Sequence, residues 1–317
     1  MQIIFIDTVH PILQKLLEEE GHRCIDGSLL LKEEVLKCIH DFNGIVIRSR
    51  IQFDKEMLDA AAKLKFIARA GVGMESIDVE YAESKGIKCL NAPEGSRDAV
   101  GEHAVGMLLS LLNKLCKADQ EVRKGEWNRE ANRGTEIQGK TIGIIGYGNM
   151  GSALAKKMSG FDCKVIAYDK YLNVFPNRFA TKVSMEEIFN QTDVLSLHVP
   201  LHHETTFFVN DVFINRFKKN IYIINTARGK CLKTDDLVKN LESGKVLGAC
   251  LDVIEYEDHS FEKFTIRNSQ FANQESWRYL IKCENVVLSP HIAGWTVESH
   301  EKISRVLFEK IKTLFQQ

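Results

Sequence analysis

Three short polar segments in the second half of the chain each follow an apolar run: NTARGK (225–230), LDVIEYE (251–257) and SPHIAGWT (289–296). An arginine can hold a carboxylate through its planar fork, and a histidine can pass a proton near neutral pH. A neighbouring carboxylate stabilises the charged imidazole. Arg228, His291 and an acidic residue of the middle segment therefore make a set suited to hydride transfer at a carbon that bears oxygen.

Each of these side chains also has a structural interpretation that the segments alone leave open. Arg228 could cap the turn after NTA, and Asp252 could cap a helix. His291 could be a loop residue that bonds its own backbone. The histidines of HVPLHH, namely His198, His202 and His203, are interpreted as loop or pocket-wall residues, not as catalysts.

A glycine motif earlier in the chain predicts a dinucleotide site, formed by Gly146, Tyr147, Gly148, Asn149, Met150 and Gly151. The motif follows the apolar run TIGIIG and opens the helical pattern SALAKKM, which is the strand–turn–helix context that G-x-G-x-x-G requires. A helix N-terminus there would bind the phosphates. Asp169 ends the next strand and would accept the ribose hydroxyls, so NAD is favoured over NADP, although Lys170 is adjacent. The alternative is a glycine-rich turn that binds nothing.

The elements that must position these residues alternate between apolar strands and helices, which predicts parallel sheets covered on both faces. Strands and helices alternate from residue 2 to about 91. A single apolar stripe over 98–124 predicts one long connecting helix. Six strand candidates follow, at 141–146, 163–169, 193–199, 220–226, 246–252 and 285–289. The fold class is therefore α/β, with two doubly wound parallel-sheet domains.

An ordered set of motifs resembles the D-isomer-specific 2-hydroxyacid dehydrogenases, and within them the D-3-phosphoglycerate dehydrogenases. The set runs over nearly the whole chain. It consists of NTARGK, SPHIAGWT and five further motifs, which are RSR (48–50), RAGVGMESID (69–78), APEGSRDAVGEHAVGMLL (92–109), GYGNMG and HVPLHHET (198–205). The resemblance implies a Rossmann cofactor domain at 97–294. That domain is inserted into a smaller, discontinuous flavodoxin-like substrate domain at 1–96 plus 295–317.

The resemblance also implies roles for individual residues. Arg228 binds the substrate carboxylate and keto oxygen, His291 is the general acid/base, and Glu257 stabilises its imidazolium form. The implied cofactor contacts beyond the glycine loop are Asp169, His198, Pro200, Thr205, Thr226 and Asp252. The implied substrate contacts are the Gly71-Val72-Gly73 loop and, for a second anionic group, Arg48 and Arg69. The two arginines are otherwise ordinary surface charges.

The sequence departs from the family pattern in two places. Glu257 is followed by Asp258 where the family commonly has proline, so Glu255 stays open as the partner of His291. The stretch 258–283 is longer than usual and contains five aromatic residues. It predicts a lid, a subunit contact or a packed surface excursion.

Composition limits the partners. The net charge of −1 gives no basic surface for nucleic acid or an anionic membrane. No His, Cys and carboxylate set has metal-ligand spacing, and the eight scattered cysteines favour free thiols in a reducing cytoplasm.

The expected activity is NAD-dependent interconversion of a D-2-hydroxy acid and its 2-keto acid. The leading substrate is 3-phosphoglycerate, as in serine biosynthesis, and a homodimer is expected. A hydroxypyruvate or glyoxylate reductase and an NADH-sensing corepressor-like scaffold remain as alternatives.

Overall fold

The computed structural model describes residues 1–257 and 274–315. The described chain divides into two compact units. The first unit comprises residues 1–97 and 295–315, and the second comprises residues 98–257 and 274–294. Most of the aromatic stretch at 258–283 lies outside the described residues.

The first unit is a five-stranded parallel sheet flanked by helices. Its elements are β1 (Gln2–Phe5), α1 (Ile12–Glu19), β2 (Arg23–Asp26), α2 (Lys32–Cys38), β3 (Gly44–Ile47), α3 (Lys55–Ala60), β4 (Phe66–Arg69), α4 (Val79–Ser84), β5 (Lys88–Leu90) and, from the end of the chain, α12 (Val297–Phe315). The strand order β2-β1-β3-β4-β5 is that of a flavodoxin-like sheet. The sequence did not predict β2 and α2.

The alternation of side chains along each strand divides the core of the first unit into two layers. Ile3 packs with Leu13 of α1 and Leu307 of α12 on one face. Its neighbour Ile4 points to the other face and packs with Val35 of α2. Both faces of the sheet are therefore covered, as the continuous apolar strands predict.

The second unit is a seven-stranded parallel sheet. Its elements are α5 (Pro93–Leu112), which begins in the first unit, α6 (Leu115–Arg123), β6 (Thr141–Ile145), α7 (Asn149–Met158), β7 (Lys164–Tyr168), β8 (Thr181–Lys182), α8 (Met185–Gln191), β9 (Val194–Leu197), α9 (Asp211–Asn215), β10 (Ile221–Asn225), α10 (Thr234–Glu242), β11 (Val246–Leu251), α11 (Glu275–Leu280) and β12 (Val286–Leu288). The order β12-β11-β10-β9-β6-β7-β8 is that of a Rossmann sheet with one added strand.

Two doubly wound parallel sheets confirm the predicted fold class. All six strands predicted after residue 140 are present, and the short β8 is an addition. The strand order reverses between β6 and β9, where sheets of this type bind ligands beyond the carboxyl ends of the strands. Within the described ranges, every helix is too short or too polar to cross a membrane.

The prediction of one long helix over 98–124 is wrong. The structure has α5 and α6, and the break falls at Lys114, whose φ of 51° is left-handed. A left-handed residue cannot continue a right-handed helix. The Asn113 side chain adds a second hydrogen bond (3.1 Å) to the Leu109 carbonyl, which already accepts the Asn113 backbone N–H (3.0 Å).

Candidate active site

The three polar segments of the second unit meet because the strands before them are neighbours. Asn225 of β10 pairs with Leu251 of β11, which pairs with Leu288 of β12. The loops that follow therefore leave the same edge of the sheet. They also touch, since a Cβ atom on Gly229 would lie 1.8 Å from the Ile254 carbonyl oxygen. Glycine permits this close approach of backbone to backbone.

His291 and Glu257 form a direct pair. Nδ1 of His291 lies 2.8 Å from Oε2 of Glu257, and the two side chains are 26% and 15% exposed. Oε1 of Glu257 accepts from the Ile254 backbone N–H (2.8 Å), which fixes the carboxylate in its loop. Because Nδ1 faces the carboxylate, any proton exchange with a substrate would use Nε2, the other ring nitrogen.

Glu255 has a different task. Its Oε2 accepts from the backbone N–H of Thr234 (2.9 Å), the first residue of α10. The carboxylate thus satisfies an otherwise orphaned donor at a helix N-terminus. Of the two glutamates that the sequence left open, the structure places Glu257 against His291.

The backbone of His291 is unusual, because its φ is 56° and the residue is not glycine. Its N–H donates to the Asp252 carbonyl (2.7 Å) and to the Ser289 carbonyl (3.1 Å). These bonds hold the loop in a conformation that most residues avoid.

Asp252 is 1% exposed and does not cap a helix. Its carboxylate accepts from the backbone N–H groups of Ile292 and Ala293 (both 2.9 Å) and from the Ser289 hydroxyl (2.6 Å). Burial alone would raise the pKa of this carboxyl. Hydrogen bonds from His103, Ser289 and the loop backbone outweigh burial and lower the pKa. Asp252 is therefore an anionic anchor for the segment that contains His291.

Arg228 lies in the turn after β10, whose shape depends on a buried side chain. Nδ2 of Asn225 donates to the Arg228 carbonyl (3.0 Å), and Oδ1 of Asn225 accepts from the Ala227 N–H (3.1 Å). Nη1 of Arg228 donates to the Ala227 carbonyl (2.7 Å). Sequence reasoning quoted the NTARGK motif but missed Asn225, although an asparagine at the start of a turn is a known turn-former.

The glycine loop has the steric requirements that its motif predicts. Gly146 has a φ of 91°, and a Cβ atom there would lie 2.4 Å from the His198 carbonyl oxygen. At Gly151 a Cβ would lie 2.0 Å from the Gly146 oxygen, so glycine allows α7 to pack against the turn. At Gly148 a Cβ would meet no described atom within 4 Å. Asn149 and Met150 form the first turn of α7, so their N–H groups lack helical partners.

Tyr147 points away from this loop surface. Its side chain is buried, donates from the hydroxyl to Asn177 (2.7 Å) and stacks on Phe175 with 4.0 Å between ring centroids. The side chain therefore stabilises the loop from within the core. That backbone N–H donates to Oδ2 of Asp169 (2.7 Å).

Asp169 follows β7 and accepts backbone donors on both oxygens. Tyr147 bonds Oδ2, while Tyr171 and Leu172 bond Oδ1 at 2.9 and 3.0 Å. Burial would raise the pKa of this carboxyl, but these backbone hydrogen bonds outweigh it and lower the pKa. Asp169 is thus a fixed negative charge. Lys170, next to it, pairs with Glu204 at 2.5 Å.

Comparison with known proteins decides the family. Residues 105–293 match the family described as D-isomer specific 2-hydroxyacid dehydrogenase, NAD binding domain. Over 289 residues the chain is 37% identical to hydroxypyruvate reductase of Thermotoga maritima, which covers 90% of this chain and 89% of that protein. The chain belongs to the D-isomer-specific 2-hydroxyacid dehydrogenase family.

Two further relatives extend this result. D-3-phosphoglycerate dehydrogenase of Methanocaldococcus jannaschii is 33% identical over 322 residues, covering 100% of this chain and 58% of that protein. The crystal structure of D-lactate dehydrogenase from Aquifex aeolicus, complexed with NAD and lactic acid, matches with a TM-score of 0.80 and 28% identity. That match covers 100% of this chain and 96% of the solved one. The resemblance seen in the motifs is confirmed, and the chain is an NAD-binding oxidoreductase.

The pocket edge of this dehydrogenase has unsatisfied polar atoms that fit NAD. Leu197 of β9 pairs with Asn225 of β10, so the next residues, His198 and Thr226, follow neighbouring strand ends. Nδ1 of His198 and Oγ1 of Thr226 are buried and have no hydrogen-bond partner among the described residues. A buried polar atom of this kind normally finds a partner in a ligand or in water.

His198 is held in the neutral form, since burial lowers its pKa to about 4. Its Nε2 lies 2.8 Å from the Ser196 hydroxyl. Thr205 donates to the Pro200 carbonyl (2.7 Å) and accepts from the His202 N–H (2.9 Å), which closes the 200–205 loop. A wall position for the HVPLHHET residues stays a prediction.

In the first unit, Arg48 lies in a cluster of rings beyond β3. Its guanidinium lies 4.3 Å from the centroid of the Trp295 ring. Trp295 is 5.4 Å from the His300 ring, and His300 is 5.5 Å from His10. Burial lowers the pKa of His300, and the positive charges of His10 and Arg48 lower it further. Arg48 therefore supplies the permanent positive charge of this cluster.

The other arginine of RSR has a structural role that sequence reasoning missed. Arg50 bonds Oδ1 of buried Asp7 (3.1 Å), the Leu30 carbonyl (2.7 Å) and the Ile6 carbonyl. Asp7 also accepts the Arg48 backbone N–H. Arg50 and Asp7 thus fix the end of β3, where Arg48 begins.

Arg69 and the Gly71-Val72-Gly73 loop follow β4 in the same unit. The Arg69 guanidinium packs over Gly71, because a Cβ atom at Gly71 would lie 1.4 Å from Nη1 of Arg69. The Val72 carbonyl accepts from Nδ2 of Asn91 (2.7 Å), and Ala92 donates to the Gly71 carbonyl (2.8 Å). The loop is therefore fixed to the segment before α5.

Proposed function

We propose that this dehydrogenase interconverts 3-phosphoglycerate and 3-phosphohydroxypyruvate with NAD, the first oxidation towards serine. The main support for the chemistry is the His291–Glu257 pair at 2.8 Å beside the Arg228 turn. For the substrate, the support is the Arg48 guanidinium, which lies against Trp295 in the ring cluster of the first unit. A phosphorylated hydroxy acid has a second anionic group that such a cluster would bind.

In this proposal each residue of the three loops has one duty. The Arg228 guanidinium binds the substrate carboxylate and polarises the keto oxygen. Nε2 of His291 removes the hydroxyl proton during oxidation and returns it during reduction. Glu257 holds the ring and stabilises its charged form. The Gly71-Val72-Gly73 loop and Arg69 are assigned to the substrate carboxylate and phosphate respectively.

NAD supplies the hydride acceptor when it is bound. The glycine loop at 146–151 and the first turn of α7 would hold its pyrophosphate. Asp169 would accept the ribose hydroxyls, and its negative charge disfavours the 2′-phosphate of NADP. His198, Pro200, Thr205, Thr226 and Asp252 would line the rest of the pocket. The second unit is then the cofactor domain, and the first unit the substrate domain.

Hydroxypyruvate is the second candidate substrate. It is favoured by the relative from Thermotoga maritima, which is called a hydroxypyruvate reductase and is 37% identical over 90% of this chain. Hydroxypyruvate lacks the phosphate, so its turnover would need Arg228 but not Arg48.

A substrate panel tests the proposal. NADH oxidation is measured with 3-phosphohydroxypyruvate, hydroxypyruvate, glyoxylate and pyruvate, for the wild type and Arg48→Ala. We expect the highest kcat/KM for the phosphorylated acid, and a KM for it that rises about tenfold or more in Arg48→Ala because a charge-assisted contact is lost. The matched control is Arg23→Ala, an exposed arginine of the same unit.

The outcomes separate the candidates. Equal loss with phosphorylated and unphosphorylated acids in Arg48→Ala would contradict a phosphate role. A preference for hydroxypyruvate that survives Arg48→Ala would favour the second candidate. If no acid is reduced, and a protein partner is retained only with NADH, the protein is an NADH-sensing scaffold instead.

A further inference from the structure

A partly buried chain of hydrogen bonds connects α5 to the loop that contains His291. Nε2 of His103, in the middle of α5, lies 2.9 Å from the Ser289 hydroxyl and 3.4 Å from Oδ1 of Asp252. Ser289 donates to the same Oδ1 at 2.6 Å. His103 is 186 residues from Ser289 in the sequence, and no motif reasoning assigned it a task.

The direction of these bonds follows from the number of protons. The Ser289 hydroxyl has one proton, and the Asp252 carboxylate is a stronger acceptor than the Met107 sulfur at 3.6 Å. Ser289 therefore donates to Asp252 and accepts from His103. It follows that His103 has its proton on Nε2, whatever the state of Nδ1.

The far end of this chain is the backbone of His291. The Asp252 carboxylate accepts from the N–H groups of Ile292 and Ala293. The backbone carbonyl of Asp252 accepts from the N–H of His291 itself. A left-handed backbone is unfavourable for a residue other than glycine. These bonds offset that cost only while the carboxylate keeps one orientation, and the Ser289 and His103 donors limit its rotation.

We infer that His103 is a positioning residue for His291, acting through Ser289 and Asp252 to hold the acid/base loop in its left-handed conformation. The inference rests on the proposed acid/base function of His291. The hydrogen bonds from His103 lead through Ser289 to the Asp252 carboxylate and from there to the backbone after His291, so the effect of His103 passes through that carboxylate. A loop that relaxes by about 1 Å can slow a reaction about a hundredfold.

The test compares His103→Leu with His103→Gln. Leucine fills similar space but donates no hydrogen bond, whereas the glutamine amide nitrogen can replace Nε2 as a donor. In His103→Leu we expect kcat to fall about tenfold or more, with the Kd for NADH within twofold of wild type. His103→Gln should restore most of kcat. His40→Leu, at an exposed histidine of the first unit, is the control substitution.

The same substitution in a Ser289→Ala variant distinguishes an effect through the hydrogen bonds from an effect on packing. Ser289→Ala removes the bridging hydroxyl and leaves only the longer 3.4 Å contact between His103 and Asp252, so adding His103→Leu should lower kcat by a smaller factor than His103→Leu does in the wild type, as expected for residues that act as one unit. Full multiplication of the two losses would overturn the inference. So would a His103→Gln variant as slow as His103→Leu, or a Leu variant in which only the melting temperature falls.

A readout that needs no turnover distinguishes this inference from the proposed function. The Nδ1–H proton of His291, bonded to Glu257, should give a downfield NMR signal that His291→Asn lacks. We expect the signal in the wild type and in His103→Gln, and its loss or shift in His103→Leu. If the protein shows no turnover but His103→Leu still changes this signal, the proposed function alone is contradicted. An unchanged signal in His103→Leu would sink the inference alone.

Discussion

At the scale of single residues, His291 combines two demands that rarely meet. Its ring must face a carboxylate, and its backbone must accept a φ of 56°. Alanine would remove the ring and keep the backbone strain, so its effect on activity would be mixed with an effect on the loop. Asparagine tolerates the left-handed region better than other non-glycine residues. It is therefore the cleaner replacement.

We predict that His291→Asn lowers kcat by about 10²- to 10⁴-fold, which is the usual contribution of a general acid/base. NADH binding should be unchanged within error, because the ring acts on the substrate and not on the dinucleotide. Stopped-flow turnover and a fluorescence titration with NADH measure the two quantities. A variant that loses both equally would indicate a structural role for His291.

A second residue-scale prediction concerns cofactor choice. Lys170 follows Asp169 and could attract the extra phosphate of NADP, but it is paired with Glu204 at 2.5 Å. Glu204→Gln removes that partner and leaves Asp169 in place. We expect the ratio of kcat/KM for NAD over NADP to fall by about two- to fivefold, since exposed pairs contribute up to about 1 kcal/mol.

The control for Glu204→Gln is Glu186→Gln, which removes a surface partner of Arg216 in the same unit. The change in the ratio should diminish at high salt because exposed charges are screened. A ratio that stays constant in Glu204→Gln at low salt would show that Lys170 does not reach the cofactor.

At the scale of elements, the middle loop has two glutamates with separate duties. Glu255 caps the first turn of α10, and Glu257 faces His291. We predict that Glu255→Gln lowers the free energy of unfolding by about 1 kcal/mol, as the loss of a cap does, while kcat is largely kept. Glu257→Gln should lower kcat and leave the free energy of unfolding largely unchanged. Urea unfolding and turnover of both variants check this, and a reversed pattern would exchange the two assignments.

The sequence predicted the strands well because each one is a continuous apolar run between polar loops. It could not predict the break in α5, because the apolar spacing continues from Leu108 through Leu112 to Leu115 across the left-handed Lys114. Periodicity reports which face is apolar and does not report where the backbone turns. Asn113, common where helices end, was the available local signal.

The candidate site divides in the same way. Arg228, His291 and the glycine loop could be found because motif and strand end coincide in the sequence. His103, Asn225 and Asp7 could not, since their duties consist of contacts with distant or backbone groups. Only the folded chain brings His103 to Ser289, and no local pattern marks a histidine on an apolar helix as a donor.

At the scale of the whole molecule, α12 returns the chain to the first unit. After the His291 loop, Leu307 and Ile311 of α12 pack with Leu13 and Leu17 of α1 in the first unit. This face of the first sheet is therefore fully covered only when α12 has packed on it. His291 lies four residues before the change of unit at Trp295.

The surface of the second unit gives a prediction about assembly. No residue of α6 is buried, and Leu115, Val122 and the following Trp127 are 53%, 52% and 78% exposed. Large apolar side chains grouped on one surface are typical of a subunit contact. We expect a homodimer, with a mass by light scattering of twice the 36.0 kDa chain.

The double variant Val122→Glu with Trp127→Ala should dissociate that dimer, because the contact would then have to bury a carboxylate without a partner. Val212→Glu, at a side chain of α9 that is 76% exposed, is the matched control and should leave the mass unchanged. A wild-type mass of one chain at micromolar concentration would contradict the dimer. A double variant that stays dimeric would show that the contact lies on another surface. The activities of the monomer and the dimer would show whether the active site needs the second copy.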